Sequence, residues 1–156
     1  MPNHCYQTVT ISGDRNIVQE LYEQVKEHGR FCEVVNPMPL EVWGKPVEGE
    51  YRTPAWYNWR CDNWGTKWDI AGSDITEELT KLDEDTAQFS FMCWTAWSPP
   101  TPVWDRLVEL GLSVHATYDD EGMMFEGEYV DGVNNSWEPE YEEDENGDMI
   151  KVERVA

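Results

Sequence analysis

The chain predicts an α+β fold, an antiparallel sheet with two helices packed on one face. Three observations predict it. Residues 5–12 and 88–96 alternate their side-chain character with the period of a strand. Residues 17–25 and 103–110 repeat apolar positions at helical spacing, and each stretch follows one of those strands. Glycine and proline clusters punctuate the boundaries. At 156 residues, 40% hydrophobic and with nine tryptophans, the chain carries enough apolar bulk for one domain with a sizeable core, which argues against global disorder.

In residues 5–12, Cys5, Gln7, Val9 and Ile11 point one way and Tyr6, Thr8 and Thr10 the other. Asp14 stands where a helix needs an N-cap. The buried stripe of that helix is Ile17, Val18, Leu21, Tyr22 and Val25, and Gly29 closes it. Residues 31–35 read as a second strand, stopped by Pro37 and Pro39. Residues 37–72 fit neither period. They hold four prolines, Pro37, Pro39, Pro46 and Pro54, and five tryptophans, Trp43, Trp56, Trp59, Trp64 and Trp68, and predict a long ordered loop or inserted subdomain. A short helix is predicted over 75–82, with Asp74 and Glu77 imitating a capping box.

Residues 88–96 carry bulk on both faces, Phe89, Phe91, Cys93 and Thr95 against Ser90, Met92, Trp94 and Ala96, which predicts a central strand. Thr101 reads as the N-cap of the next helix and Pro102 as its first residue. Val103, Trp104, Leu107, Val108 and Leu110 form its buried stripe, and Gly111 ends it. A strand over 112–118 turns at Glu121-Gly122 into another over 123–130. Two strand–helix–strand units sharing one sheet make a ferredoxin-like sandwich over residues 1–136, with the Trp-rich insertion at 37–72. Residues 137–156 form an acidic C-terminal hairpin or tail. Asn146-Gly147 is a strong hairpin turn between the runs 141–144 and 149–155, and a frayed acidic terminus is the competing reading.

Charge narrows the function. The 32 acids against 11 bases leave a net charge of −21. From residue 119 to the end there are 14 acids and 2 bases, a net of −12, so more than half of the excess sits in a quarter of the chain. Such a surface repels nucleic acid and anionic membrane and favours basic partners. A small domain needs a net charge of only about 2–8 for solubility. No stretch approaches the roughly 20 apolar residues of a membrane span, and the N-terminus has neither a basic nor an apolar leader region, so the expected address is the cytoplasm. The four cysteines, Cys5, Cys32, Cys61 and Cys93, lie 27, 29 and 32 residues apart with no CxxC pair. That is poor spacing for zinc ligands or a disulfide framework, and the three that sit in strand-like segments beside apolar residues read as buried thiols in a reducing compartment.

Several segments together resemble the YubB ferredoxin-like family of enterobacterial plasmids and phages. They are Met1-Pro2-Asn3-His4-Cys5, Ser12-Gly13, Asn36-Pro37-Met38-Pro39, Trp56-Tyr57-Asn58-Trp59-Arg60, Asn63-Trp64-Gly65-Thr66-Lys67-Trp68, Trp97-Ser98-Pro99-Pro100-Thr101-Pro102 and the stretch 118–127 with Glu121-Gly122 and Phe125-Glu126-Gly127. The likeness spans roughly residues 1–130. His4 stands where the family pattern has tryptophan, and the acidic tail has no counterpart. The resemblance implies a ferredoxin-like fold and a mobile-element origin, and carries no activity with it.

Catalytic chemistry finds no foothold. His4, His28 and His115 are scattered, no serine sits in a nucleophile elbow, and GxxxxGK[ST], HExxH and GxGxxG are absent, so no enzyme is expected. Asp144, Asn146 and Asp148 imitate the start of a calcium loop. Its sixth position is Met149 rather than glycine and its twelfth is Val155 rather than glutamate, so no metal and no cofactor are expected.

The leading expectation is a non-enzymatic acidic inhibitor that mimics DNA. Its carboxylates would occupy the arginines of a basic host protein, a nucleic-acid-binding one in defence or repair. The nominated contact residues are Asp119, Asp120, Glu121, Glu126, Glu128, Asp131, Glu138, Glu140, Glu142, Glu143, Asp144 and Glu145, helped by Asp83, Glu84 and Asp85. One alternative is a nucleotide- or sugar-binding module in which Trp59, Arg60, Asn63, Trp64, Lys67 and Trp68 form the pocket, although the same rings serve equally to order a short irregular segment. The other is an interaction domain that dimerises through sheet edges, against which the net charge works.

Overall fold

The computed structural model describes residues 3–43 and 54–152. The parts of the predictions that fall on residues 1–2, 44–53 and 153–156 lie outside the described residues. The elements run β1(His4–Asp14), α1(Arg15–Lys26), α2(Phe31–Val35), α3(Leu40–Trp43), α4(Ala55–Asn63), β2(Ala71–Lys81), β3(Thr86–Ala96), α5(Thr101–Glu109), β4(Ser113–Asp120), β5(Glu126–Val130), β6(Val133–Trp137), β7(Tyr141–Glu143) and β8(Met149–Lys151). Six strands form one antiparallel sheet in the order β2-β3-β1-β4-β5-β6, and β7 pairs with β8 alone. The fold is mixed α+β.

The alternation of β1 decides which face is dry. Cys5, Val9 and Ile11 are fully buried with Gln7 among them, whereas Tyr6 and Thr8 face out. β4 alternates as cleanly, with Val114, Ala116 and Tyr118 inward. Val18, Leu21, Tyr22 and Val25 of α1 and Val103, Trp104 and Leu107 of α5 join the same core as these strands, so both helices cover one face. The Asp14 carboxylate accepts the amides of Asn16 (3.0 Å) and Ile17 (3.1 Å), the cap expected from sequence. Inside the core, Gln7 donates to Thr95 Oγ1 (2.5 Å) and the Cys5 carbonyl (3.1 Å) and accepts from Cys93 Sγ (3.2 Å), so this buried amide is satisfied. Cys5, Cys32 and Cys93 are buried free thiols and Cys61 is half-buried.

Two elements overturn the local reading. Residues 31–35 are the helix α2, not a strand. Phe31 and Cys32 are consecutive and both fully buried, so the segment lacks the one-sided alternation of β1 and β4. The helix start is stabilised from a distance, since the Asp69 carboxylate accepts the amides of Cys32 (2.8 Å) and Glu33 (3.1 Å). Residues 75–82 are not a helix but fall largely within β2. Ile75 and Leu79, both packed on the core, are four apart, an even spacing that suits a strand as well as a helix. Pairing with β3 decides between them, and shifts in register on either side of Glu77 mark β2 as bulged. Asp83 then caps the β2–β3 turn by accepting the amides of Asp85 and Thr86, both at 2.8 Å.

The first unit is not strand–helix–strand, because α2, α3 and α4 stand between α1 and β2. Pro100, not Thr101, occupies the cap position of α5, a displacement within the ordinary fraying of helix ends. β5 starts at Glu126, because Met123 adopts φ 59° in the preceding turn. Strand β6 was hidden behind an Asp-Gly hairpin signal. Asp131 (φ 45°) and Gly132 (φ 99°) take the left-handed pair of a tight turn.

Candidate functional site

With α1 and α5 on one face, the opposite face of the sheet keeps Tyr6, Thr8 and Met92 exposed among the described residues. The pairing register writes its side chains in rows. The first row runs Trp94, Tyr6, Asp119, Glu126 and Trp137 across β3, β1, β4, β5 and β6. The second runs Met92, Thr8, Thr117, Glu128 and Asn135, and the third Ser90, Thr10, His115, Val130 and Val133. On the β2 side, Asp74 lies beside Met92 and Glu77 beside Ser90. An aromatic and threonine centre is thus bordered by carboxylates on both flanks.

The centre is preorganised. The Trp94 indole stacks on the His4 ring at 3.9 Å and 17°. The indole also lies close against Gly72, where a Cβ would sit 2.4 Å from the indole nitrogen. Tyr6 meets His4 edge-on and is 41% exposed. Thr10 and Ser90 share a hydroxyl hydrogen bond of 2.7 Å, and Ser90 donates to Glu77 at 3.3 Å.

The acidic flank is equally tied. Glu126 accepts Trp137 Nε1–H at 2.6 Å and forms an ion pair with Lys151, which brings β8 onto this face. His115 lies 3.4 Å from Glu128. Partial desolvation raises the Asp119 carboxyl above its ordinary value, with the charges of Glu126 and Asp120 adding to the effect and Lys151 opposing it. A hydrogen bond from Lys151 to Glu126 in turn raises the ammonium above its usual range.

The nominated acids therefore divide. Asp119, Glu126 and Glu128 come together on the open face. Asp120 does not join them. It opposes Cys5 on the inner face, is 5% exposed and accepts the Met124 amide at 3.2 Å, so it shapes the β4–β5 turn. Glu121 accepts the His4 amide at 2.7 Å at the end of the sheet. Asp131 ties the β5–β6 turn to β4 through Val114 N (2.7 Å) and Ser113 Oγ (2.9 Å). Asp144 holds the β7–β8 turn by accepting the amides of Asn146 (2.9 Å) and Asp148 (2.8 Å). Glu138, Glu140, Glu142, Glu143 and Glu145 are exposed on the β7–β8 ribbon and its connector. Asp83, Glu84 and Asp85 lie at the opposite end of β1 from Tyr6, because Thr86 pairs with Asp14. Sequence reasoning missed His4, Asp74 and Glu77 as members of this face. The outward positions of Tyr6, Met92 and Trp94 were visible in the alternation, but their neighbours required the register.

The Trp-rich residues do not form one pocket. Trp64 is 1% exposed, and its indole N–H donates to the Asn36 carbonyl at 2.8 Å. Trp59 meets Trp64 edge-on at 6.0 Å, and the Arg60 guanidinium lies over Trp64 (4.8 Å) and Trp56 (5.1 Å). The Asn63 amide donates to the Trp59 carbonyl at 2.8 Å. Trp59, Arg60 and Trp64 fasten α4 to the core, while the Asn63 bond stays within α4. Lys67 and Trp68 face elsewhere, beside Trp97. A cleft bounded by Arg30, Glu33, Arg60, Trp64 and Asp69 does open here. Its carboxylates already serve backbone amides, Asp69 at α2 and Glu33 at Met38 N (3.3 Å).

Among the described residues no group of three or more histidines, cysteines or acids is arranged to hold a metal ion, and no helix is long and apolar enough to cross a membrane. The fold and this face define an α+β protein with an acidic open sheet. No family model, curated protein or solved structure matches the chain.

Proposed function

We propose that the chain is a non-enzymatic binding protein whose open sheet face receives a cationic protein surface, one that otherwise holds nucleic acid. The observation that carries this reading is the fixed placement of Asp119 and Glu128 on adjacent rows of a hydrogen-bonded sheet, with Glu126 beside them already held by Lys151 and Trp137. Strand neighbours about 5 Å apart and same-face positions about 7 Å apart along a strand make a rigid carboxylate lattice. Arginine forks bind such carboxylates directly, and Tyr6, Trp94 and Met92 add the flat apolar contact that interface centres favour. The net charge of −21 steers a basic partner toward the protein and direct nucleic acid away from it. No cofactor or metal enters this reading.

A ferredoxin-like core is the finer fold we infer. The strand order β2-β3-β1-β4, the helices α1 and α5 on one face and the connectivity β1-α1-β2-β3-α5-β4 support it, with β5 and β6 as an extension and the acidic β7–β8 hairpin appended to it. A plasmid or phage origin and a host cytoplasmic setting rest on the Trp-rich motifs that resemble the YubB family.

The test is competition. A panel of basic nucleic-acid-binding proteins is loaded with labelled duplex DNA, and displacement by this protein is followed by fluorescence anisotropy at several salt concentrations. Displacement that weakens as salt rises is expected for at least one of them. Combined Asp119→Asn, Glu126→Gln and Glu128→Gln should weaken the complex about a hundred-fold. Neutralising Glu142, Glu143 and Glu145 on the ribbon should cost less. Equal competition by the open-face triple variant and the unaltered protein would sink the assignment.

A further inference from the structure

A second feature lies at the end of β3, away from the acidic flank. Lys67 projects its ammonium between two indoles, 4.5 Å from the Trp68 ring and 4.3 Å from the Trp97 ring. Tyr57 meets Trp97 edge-on at 6.4 Å. Among the described residues, no carboxylate lies within ion-pair distance of Lys67 Nζ, although the chain carries 32 acids.

The frame around it is rigid. Thr66 Oγ1 donates to the Ala96 carbonyl at 2.8 Å, and Ser98 Oγ donates to the Gly65 carbonyl at 2.5 Å, so the two segments bearing the indoles are locked together. Trp97 adopts φ 67°, a left-handed conformation that a bulky side chain rarely takes. Strain of this kind concentrates at binding and catalytic sites. The rings are not core residues either, since Trp68 is 39% and Trp97 43% exposed. A cation between aromatic faces is held by the ring quadrupoles, and aromatic cages for ammonium groups use this geometry.

We propose that Trp68 and Trp97, with the edge of Tyr57, form a cation-accepting aromatic cage that Lys67 keeps closed, and that a lysine side chain of a partner protein enters by displacing Lys67. The resident occupant defines the ligand chemistry, a primary ammonium on an alkyl stem. The open sides of the two indoles provide the route in, and the strongly negative protein attracts the incoming cation. This inference does not depend on the acidic face, because the cage is tested with a small molecule.

The experiment follows the Trp68 and Trp97 indole N–H cross-peaks by NMR during titration with Nα-acetyl-lysine methylamide. The unaltered protein, Lys67→Met and Lys67→Gln are compared, each checked for an unchanged fold by the remaining cross-peaks. Removing the internal competitor should tighten binding about ten-fold in both variants. Adding Trp97→Ala or Trp68→Ala to Lys67→Met should abolish the response. The uncharged isostere Nα-acetyl-norleucine methylamide should leave both cross-peaks unmoved. Folded Lys67→Met and Lys67→Gln proteins that ignore the lysine derivative would reduce the cluster to a structural clasp and overturn the proposal. An equal response to the norleucine derivative would make it an apolar slot. A response to choline alone would assign it to quaternary ammonium groups, which also overturns the lysine assignment.

Discussion

Replacing Trp64 with alanine is expected to lower the unfolding free energy by about 3–5 kcal/mol, the usual cost of truncating a buried aromatic residue. Three losses add at this position. The indole is almost fully enclosed, so its removal leaves a cavity that the neighbouring elements can fill only in part. Its N–H satisfies the Asn36 carbonyl just after α2, which would lose that partner. Trp59 and Arg60 both rest on its ring, so α4 loses its anchor on the core. Against a total stability of about 5–15 kcal/mol, a change of this size leaves the variant marginal at physiological temperature. Urea titration with circular dichroism measures it. Trp64→Phe, which keeps most of the volume and loses the N–H, should cost about half as much or less. A Trp64→Ala protein as stable as the original would mean that the ring is not core and would reopen the ligand-pocket reading, in which it stacks on a nucleotide or sugar.

Alkaline pH should destabilise the protein steeply, by about 4 kcal/mol per pH unit once the unfolded thiols have ionised. Burial raises the thiol of Cys5 to about 12 and pushes Cys32 and Cys93 up as well. For Cys5 the neighbouring Gln7 hydrogen bond opposes burial, and the charges of Asp119 and Asp120 reinforce it. For Cys32 the nearby Asp69 reinforces it. In the unfolded chain each thiol titrates near about 8.5. Below that value both states hold the three protons and the thiols leave stability unchanged. Above it the unfolded state releases protons that the native state keeps, so ionisation favours unfolding, at about 1.4 kcal/mol per pH unit for each thiol. Tyr118 and Tyr129, whose hydroxyls are also raised by burial, extend the trend above about pH 10. Urea midpoints between pH 8 and 11 give the slope, and Cys32→Ala should reduce it by about a third over the thiol range. An unchanged slope in that variant would refute the account. Iodoacetamide at pH 8 supplies an independent reading, since the half-buried Cys61 should be modified before the three buried thiols, although partial burial raises its thiol as well and slows the reaction.

Both expectations draw on features that differ in how far the sequence foretold them. The buried thiols were readable from spacing and context, because cysteines beside apolar residues without a metal or disulfide pattern are left to the core, as Cys5, Cys32 and Cys93 are. The position of Trp64 was not. Its segment obeys no simple period, and whether a tryptophan lines a pocket or fills a core depends on what stands opposite, here Asn36 and Trp59. The acidic site shows the same division. Charge excess in the last quarter was evident, but Asp119, Asp120 and Glu121 are consecutive and have three different fates. Strand alternation sends Asp119 out and Asp120 in, and the turn gives Glu121 to the His4 amide.

By itself the sequence determined β1, α1, β3, α5 and β4, the α+β class and the strongly negative character of the molecule. Those features rest on periodicity, capping and composition, which act between residues near one another in the chain. Tertiary structure alone decided that residues 31–35 wind into a helix, since the carboxylate that caps it comes from Asp69. It decided that residues 71–81 extend as a strand, since β3 supplies their hydrogen bonds. It also decided which acids share the open face and that Trp68 and Trp97 meet around one lysine. The physical reason is common to all of these. A short segment gains too little from its own hydrogen bonds to choose a conformation, so the choice passes to the distant partners against which it packs.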